Sequence, residues 1–436
     1  MSRKITVGAA LALALLLAAA SIPLTMMFAQ RQQNRLIRNL PEMIGNFSAL
    51  EEIQKAVDDY FNGAPVPDVV NAAMVRGYIA GLGDPESRYL SAEEFKSYTQ
   101  RMAGEEPELG IVLRYSPELA GLVIDQVKAG STAAISGLQR DDHIVKAVSG
   151  GKELSIKPEV DPAEAADAIA KFYEETAVTA DTASISITIT YKRGGDYKPP
   201  VNVMLGSVVS SISAYMMDSY AGSDTPLAKP VGYIKIFHFF KNTASQIEAA
   251  VKELSRQGAV SYILDVRDCA EGDLQYACEA IDLFAYVPQD TGAIATVHYK
   301  NGPPVPKPST SGNIMSYTTG GYIAVLINKR TSGVAELFAH DLREFNRKKV
   351  FLIGEPTRGL STVQEAFPLA SVGGAALLTV GTVVPYGSTI EKPWNDGGVQ
   401  PNDITSDTKE GVIYRISGAE QQLNGALSLF DKLEEE

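Results

Sequence analysis

The order of elements between Val231 and Ile353 constrains this chain more than any other feature. VGYIKIFHFF, Val231 to Phe240, reads as a buried strand, and Asn242–Gln257 follows as an amphipathic helix. Ser261–Val266 is a second strand and leads into a helix that runs to Phe284. Ile323–Asn328 is a third, followed by a helix beginning near Gly333 and then by the strand Val350–Ile353. Strands alternating with helices predict an α/β layered core, in which helices cover the faces of a sheet. With 436 residues the chain has room for two or three domains, and this core is placed at 206–406.

Upstream the pattern changes. Residues 105–205 are strand-rich: SISITITY, Ser184 to Tyr191, alternates Ile with Ser and Thr as a half-buried strand does. Lys192–Pro200 is polar and contains Gly and Pro, which suits a hairpin turn, while Asp161–Tyr173 reads as a helix. Residues 30–104 are helical. Leu36, Leu40, Ile44, Phe47, Leu50 and Ile53 recur at helical spacing along Gln30–Tyr60, which Pro41 kinks or divides. A second helix is expected over Pro67–Leu82, and Ser91 with Glu94 three residues on forms a capping box for a third. Residues 407–436 hold a last amphipathic helix, Ala419–Leu433.

Residues 1–29 form a targeting segment. Arg3 and Lys4 precede an apolar run, Val7 to Ala20, which Ile22 to Ala29 continues around Pro23. Ala18-Ala19-Ala20 offers a small-residue cleavage site. Left uncut, Ile5–Ala29 is long enough to cross a bilayer core of roughly 30 Å, with Arg3 and Lys4 holding the N-terminus in the cytoplasm. Both outcomes put the remaining chain on the extracytoplasmic, periplasmic or cell-envelope side, and the uncleaved anchor is the preferred expectation. No cysteine follows the run, which excludes a lipoprotein anchor. A formal charge of −13 argues against nucleic acid or an anionic membrane surface as a partner. Four histidines (His143, His238, His298, His340) and two cysteines are too scattered for a metal site, and no cofactor is implied. Cys269 and Cys278 are separated by helical residues that hold them beyond disulfide reach, so two free, half-buried thiols are expected.

Several segments have a more specific pattern. GDPESRYLSAEEF spans Gly83–Phe95, LGIV spans Leu109–Val112, and GSTAAISGLQRDDHIVKAVSG spans Gly130–Gly150. LDVRDCAEG covers Leu264–Gly272, TSGVAE covers Thr331–Glu336, and GEPTRGLSTVQ covers Gly354–Gln364. In this order the chain resembles the C-terminal processing peptidases, the tail-specific protease family. The corresponding family segments read DPYSxYLSPEEF, gSPAxxAGLxxGDxIxxVnG, LDLRNNPGG, SASASE and GEPTFGKGTVQ. The resemblance covers nearly everything after the targeting segment, with about two extra residues between Glu336 and Gly354. It implies a layered α/β protease-like core of the ClpP/crotonase type, with an inserted PDZ-like β-rich domain and N-terminal helices. Leu109, Gly110, Ile111 and Val112 would then form a carboxylate-binding loop, Gly110 letting the backbone turn its N–H groups towards a peptide C-terminus. Asp161–Tyr173 would line that groove. Thr132 stands where the family has Pro, and Asp141 where it has Gly.

The catalytic half departs further. The family's chemistry needs a serine at a helix N-terminus, a desolvated lysine to take its proton, and backbone N–H groups converging on the oxyanion. Counting from Glu336, the nucleophile position holds Gly333; counting from the GEPT and TVQ anchors, the base position holds Leu360. Glu271 replaces the glycine before Gly272 in the oxyanion element, and its carboxylate repels a forming oxyanion. Gln364 is kept where the family's glutamine supports the lysine. Ser332 is the alternative nucleophile, but one residue at a helix start rotates a side chain by about 100°. His340 lies two helical turns beyond Ser332, roughly 12 Å along the axis, too far for direct proton transfer. Lys348 and Lys349 come too early, and the Arg358 guanidinium does not deprotonate.

The expectation is therefore a pseudoprotease that binds peptide or protein C-terminal tails and scaffolds or regulates a partner, such as an active protease relative, as a homo- or hetero-oligomer. The N-terminal helices and Ala419–Leu433 resemble elements used in oligomer contacts. Two alternatives stay open: an active serine endopeptidase using Ser332, and a carrier of small apolar ligands.

Overall fold

The structure is a computed structural model that describes residues 48–105, 108–116, 118–119, 121–154, 186–204, 206, 210–284, 292–309, 321–394, 397–402 and 416–434. The expected targeting segment, residues 30–47 of the expected N-terminal helical region and the expected helix Asp161–Tyr173 lie outside these residues. No helix among the described residues is long and apolar enough to cross a membrane. The chain forms two compact units, Met1–Val70 and Asn71–Glu436.

In the first unit, α1 (Ser48–Tyr60) is amphipathic and has no buried residue. α2 (Pro67–Ala80) opens on a proline, whose fixed φ suits the first helical turn. In the second unit, after β1 (Arg88–Leu90), α3 (Ala92–Ala103) starts at the expected capping box: Ser91 Oγ accepts from Glu94 N, and the Glu94 carboxylate accepts from Ser91 N. Gly104 ends it in the left-handed conformation at φ 70°.

The strand-rich stretch that follows consists of β2 (Ile111–Ser116), β3 (Gly121–Val127), the short α4 (Thr132–Ile135), β4 (His143–Ser149), β5 (Lys152–Glu153), β6 (Ser186–Arg193), β7 (Asp196–Tyr197) and β8 (Val201–Met204). They form one seven-stranded antiparallel sheet in the order β2-β3-β4-β6-β7, with β5 on β4 and β8 on β6. Leu122, Ile124, Ile144, Ile187 and Ile189 fill its core, the isoleucines of β6 alternating with solvent-side residues as the sequence period requires. Asp141, the departure from Gly noted above, sits at φ 66°, a region that Asp tolerates better than most residues.

The α/β part comprises β9 (Ile212–Ser219), β10 (Pro226–Ile236), α5 (Thr243–Arg256), β11 (Ser261–Asp265), α6 (Leu274–Phe284), β12 (Ala293–Tyr299), β13 (Val305–Pro308), β14 (Ile323–Ile327), α7 (Val334–Phe345), β15 (Val350–Gly354), β16 (Thr362–Pro368), β17 (Ala375–Pro385) and α8 (Ala419–Glu434). Its central sheet runs β15-β14-β11-β10-β9, parallel except for β9. Side chains alternate between two cores. Leu264, Ile323, Val325, Ile327, Val350 and Leu352 face α5, α6 and α7, meeting Ile247, Val251, Ile281, Phe284, Leu337 and Phe338. Ile263, Ala324, Leu326, Phe351 and Ile353 face the other way, onto Leu423, Ala426, Leu427 and Phe430 of α8. The fold is thus a three-layer α/β core, as expected. The apolar face of α8, a helix that resembles elements used in oligomer contacts, packs on the sheet of its own chain: at ~25 cal/mol per Å² its large side chains contribute more packed there than left in water.

The sequence reading did not include the second sheet, β1-β17-β12-β13 with β16 on β17. Its register sets Arg88 opposite Leu377 and Gln364 opposite Thr379, which carries the chain after the GEPT segment up to the N-terminal part. Cys269 and Cys278 are free but fully buried, not half-buried, and burial pushes both thiols up to about 12.

Candidate active site of a peptidase-like fold

The site begins at the N-terminus of α7. Gly333 is its N-cap, at φ 62° and ψ −119°, a conformation that glycine adopts freely. One turn inside the helix, Glu336 is completely buried and accepts four hydrogen bonds. Oε2 takes the N–H groups of Gly333 and Leu360, each at 2.8 Å. Oε1 takes the N–H of Gly359 at 2.6 Å and the hydroxyl of Thr357. One carboxylate thereby ties the helix start to the loop that follows β15. Burial raises its pKa, opposed by the same four donors. Gly359 is required in that loop, since a Cβ there would lie 2.5 Å from Gly397 O.

The clamp fixes the distance that matters. A Cβ built on Gly333 has open space around it, its nearest neighbour being Leu360 Cδ2 at 4.0 Å. Both positions line a cavity of about 550 Å³ together with Glu271, Gly272 and Gln364. The structure therefore brings together five residues that the sequence singled out from three separate segments.

The opposite wall is the loop after β11. Asp265 is fully buried, and although burial opposes it, Lys235 and Arg267 hold its carboxyl well below the usual range. That anchors the loop base, and Ser332 N donating to Cys269 O at 3.0 Å joins it to the start of α7. Gly272 pairs with Phe239: Phe239 N donates to Glu271 O at 3.1 Å and Asp273 N to Phe239 O at 2.9 Å. A Cβ on Gly272 would stand 2.7 Å from Phe239 Cβ, so only glycine fits. The Glu271 side chain points into the cavity region, where its Oε1 accepts from Arg101 Nε at 3.2 Å. Gln364, also in the lining, donates from its Nε2 to Glu86 O.

Ser332 occupies a different environment. It is 1% exposed, does not line the cavity, and its Oγ has no hydrogen-bond partner among the described residues, so none of them attends it as a base. His340 instead pairs through Nδ1 with Asp341 Oδ1 at 2.7 Å.

Leu109, Gly110, Ile111 and Val112 lie elsewhere, at the start of the seven-stranded sheet. Leu109 is buried and Ile111 and Val112 are half-buried. Gly110 sits at φ 75°, where a Cβ would fall 2.0 Å from Ser131 Cβ, and its carbonyl accepts Lys128 N at 2.8 Å. Among the described residues β2 pairs with β3 alone, which leaves its other edge open.

Arg88, Tyr98, Arg101 and Met102 also line the cavity and were not anticipated. They belong to the GDPESRYLSAEEF motif and the helix it starts, where the sequence showed a cap and a resemblance to the family's segment but assigned no side chain to the site. Glu336 served as a counting anchor in the sequence; its burial among four donors is visible only in three dimensions.

Residues 230–405 match peptidase family S41. This chain carries an S41 peptidase domain. The carboxyl-terminal-processing protease of Picosynechococcus sp. strain PCC 7002 is 26% identical over 351 residues, covering 79% of this chain and 75% of that protein. The carboxy-terminal processing protease CtpA of Bacillus subtilis strain 168 is 28% identical over 327 residues, 73% of this chain and 62% of its own. A solved Bacteroides fragilis structure assigned to the S41 proteases shares the fold, with a TM-score of 0.50, 18% identity and coverage of 86% and 93% of the two chains. The matched region 230–405 thus contributes both cavity walls, the loop after β11 and the start of α7, while Pro85, Glu86 and Arg88 with three residues of α3 contribute the remaining lining.

Proposed function

We propose that this S41-type protein is an extracytoplasmic pseudoprotease. It binds peptide or protein C-terminal tails through its PDZ-like sheet and its peptidase-like cavity without cutting them, and so scaffolds or regulates a partner. The supporting observation is the juxtaposition of Gly333 and Leu360 in one cavity, where a Cβ added to Gly333 would stand 4.0 Å from Leu360 Cδ2, at the positions that the resemblance gives to nucleophile and base. Glycine offers no nucleophile and leucine accepts no proton, so neither half of acyl transfer has a carrier there. Glu271 adds a carboxylate where negative charge would develop. The open edge of β2 favours addition of an extended tail as a further strand, with Gly110 at its head. The targeting segment supports the extracytoplasmic location and the tether. No geometry favours cleavage through Ser332, which is buried and lacks a base.

The test uses the full-length protein in detergent with unfolded protein substrates and fluorescent apolar-tailed peptides. Cleavage is followed by mass spectrometry and binding by anisotropy. Binding without cleavage is expected, with cleavage gained by Gly333→Ser/Leu360→Lys/Glu271→Gly. Cleavage by the wild type that disappears in Ser332→Ala overturns the proposal.

A further inference from the structure

The geometry points to Glu271 as a specificity-determining residue that makes the cavity select a peptide segment carrying a lysine or arginine. This inference rests on the peptide-binding reading above. Its physical basis is a cavity whose lining combines two kinds of surface. Met102, Leu274, Val334, Leu360 and Val383 supply apolar area, with leucine standing where a lysine ammonium would otherwise supply positive charge. The Glu271 side chain, 45% exposed, belongs to the same lining. Its Oε1 accepts from Arg101 Nε at 3.2 Å, with the arginine side chain itself 32% exposed.

An ion pair this open is weak and displaceable by a competing cation. A lysine or arginine entering the cavity lays its aliphatic stem along the apolar lining while its charged head reaches Glu271. That division of labour matches the side chain's own chemistry, and neither a plain aliphatic nor an acidic residue satisfies both kinds of lining. The sign of the local field agrees. After burial, Asp273 and Glu271 are the influences that raise the pKa of the cavity-lining Tyr98 hydroxyl, and they outweigh the opposing Arg88 and Arg101. The Tyr98 ring adds an aromatic face to the same cavity, of the kind that attracts cations.

The two partners of the pair make opposite predictions, which a merely structural role does not. In anisotropy titrations with otherwise identical peptides carrying Lys, Leu or Glu at one central position, the Lys peptide binds about tenfold tighter than the Leu peptide and the Glu peptide weakest. Glu271→Gln erases the Lys preference, so that the Lys and Leu peptides bind the variant with equal affinity. Arg101→Gln, which frees the carboxylate, increases Lys-peptide affinity several-fold. The preference shrinks in high salt, as expected for partly exposed charges. Equal affinities across the series, an unchanged preference in Glu271→Gln, or weaker Lys-peptide binding in Arg101→Gln overturns the inference and leaves the tail-binding reading standing. Absence of binding by every peptide removes both, and circular dichroism of the two variants shows whether a loss reflects unfolding.

Discussion

Replacing Glu336 by glutamine tests whether the site is held by one buried carboxylate. Four donors converge on it, two per oxygen: Thr357 and Gly359 on Oε1, Gly333 and Leu360 on Oε2. Glutamine is nearly isosteric but keeps only one acceptor oxygen, and its NH2 group faces two donors whichever way the amide is turned. Two hydrogen bonds to a charged acceptor are lost, at about 1.5–3 kcal/mol each. Relief of the buried charge, the same burial that raises the carboxyl's pKa, offsets part of this. The expected net loss is about 3 kcal/mol. Trp394 is the only tryptophan in the chain and is 7% exposed, which makes urea unfolding readable by fluorescence. Thr357→Ala alone is expected to cost about 1 kcal/mol, and less than that when added to Glu336→Gln, because the shared bond is already gone. A Glu336→Gln variant within about 1 kcal/mol of the wild type, or strict additivity of the pair, refutes the clamp.

Three further outcomes follow from the same geometry. Gly333→Ala and Gly110→Ala both force alanine to positive φ, yet the first finds open space and the second a Cβ 2.0 Å from Ser131; urea titrations should give a loss of about 1–2 kcal/mol for the first and clearly more for the second. Burial, opposed by His340, pushes the Asp341 carboxyl up to about 6 from an ordinary 3.8. Because the folded value is the higher one, its stabilising contribution is complete below about pH 4 and is lost as pH rises through 6. Between pH 4 and 7 the wild type should therefore lose about 2–3 kcal/mol relative to Asp341→Asn; parallel pH profiles for the two proteins would show that Asp341 does not titrate this way. Gly272→Ala, whose Cβ would meet Phe239 at 2.7 Å, is expected to destabilise by at least 2 kcal/mol, and differential scanning calorimetry showing an unchanged transition would exclude the close approach.

Local chemistry made much of this protein legible in its sequence. The continuous apolar runs became the central strands, the alternating run Ser184–Tyr191 supplied β6, and Asn242 stands at the start and Gln257 at the end of α5, within one residue of the expected helix. The Ser91–Glu94 capping box formed as its spacing required. The registers counted from Glu336 and from the GEPT and TVQ anchors placed Gly333, Leu360 and Gln364 on one cavity, because residues within a turn or a strand keep fixed spacing whatever surrounds them. Other features depend on contacts between segments far apart in the chain, and no local period encodes them. The second sheet pairs Arg88 with Leu377, and α3 reaches across to set Arg101 against Glu271 from 170 residues away. Whether α8 covered this chain's own sheet or served another surface was undetermined by its amphipathic pattern, since an apolar stripe states that burial is needed but not against what. Likewise the sequence placed Ser332 beside the nucleophile position, and only the packing of α7 against the loop after β11 buried its hydroxyl while leaving Gly333 facing the cavity. Spacing along one element was fixed by the residues themselves; the closing of the site was decided by which distant donors met the Glu336 carboxylate, a long-range outcome of burial that tertiary structure alone determines.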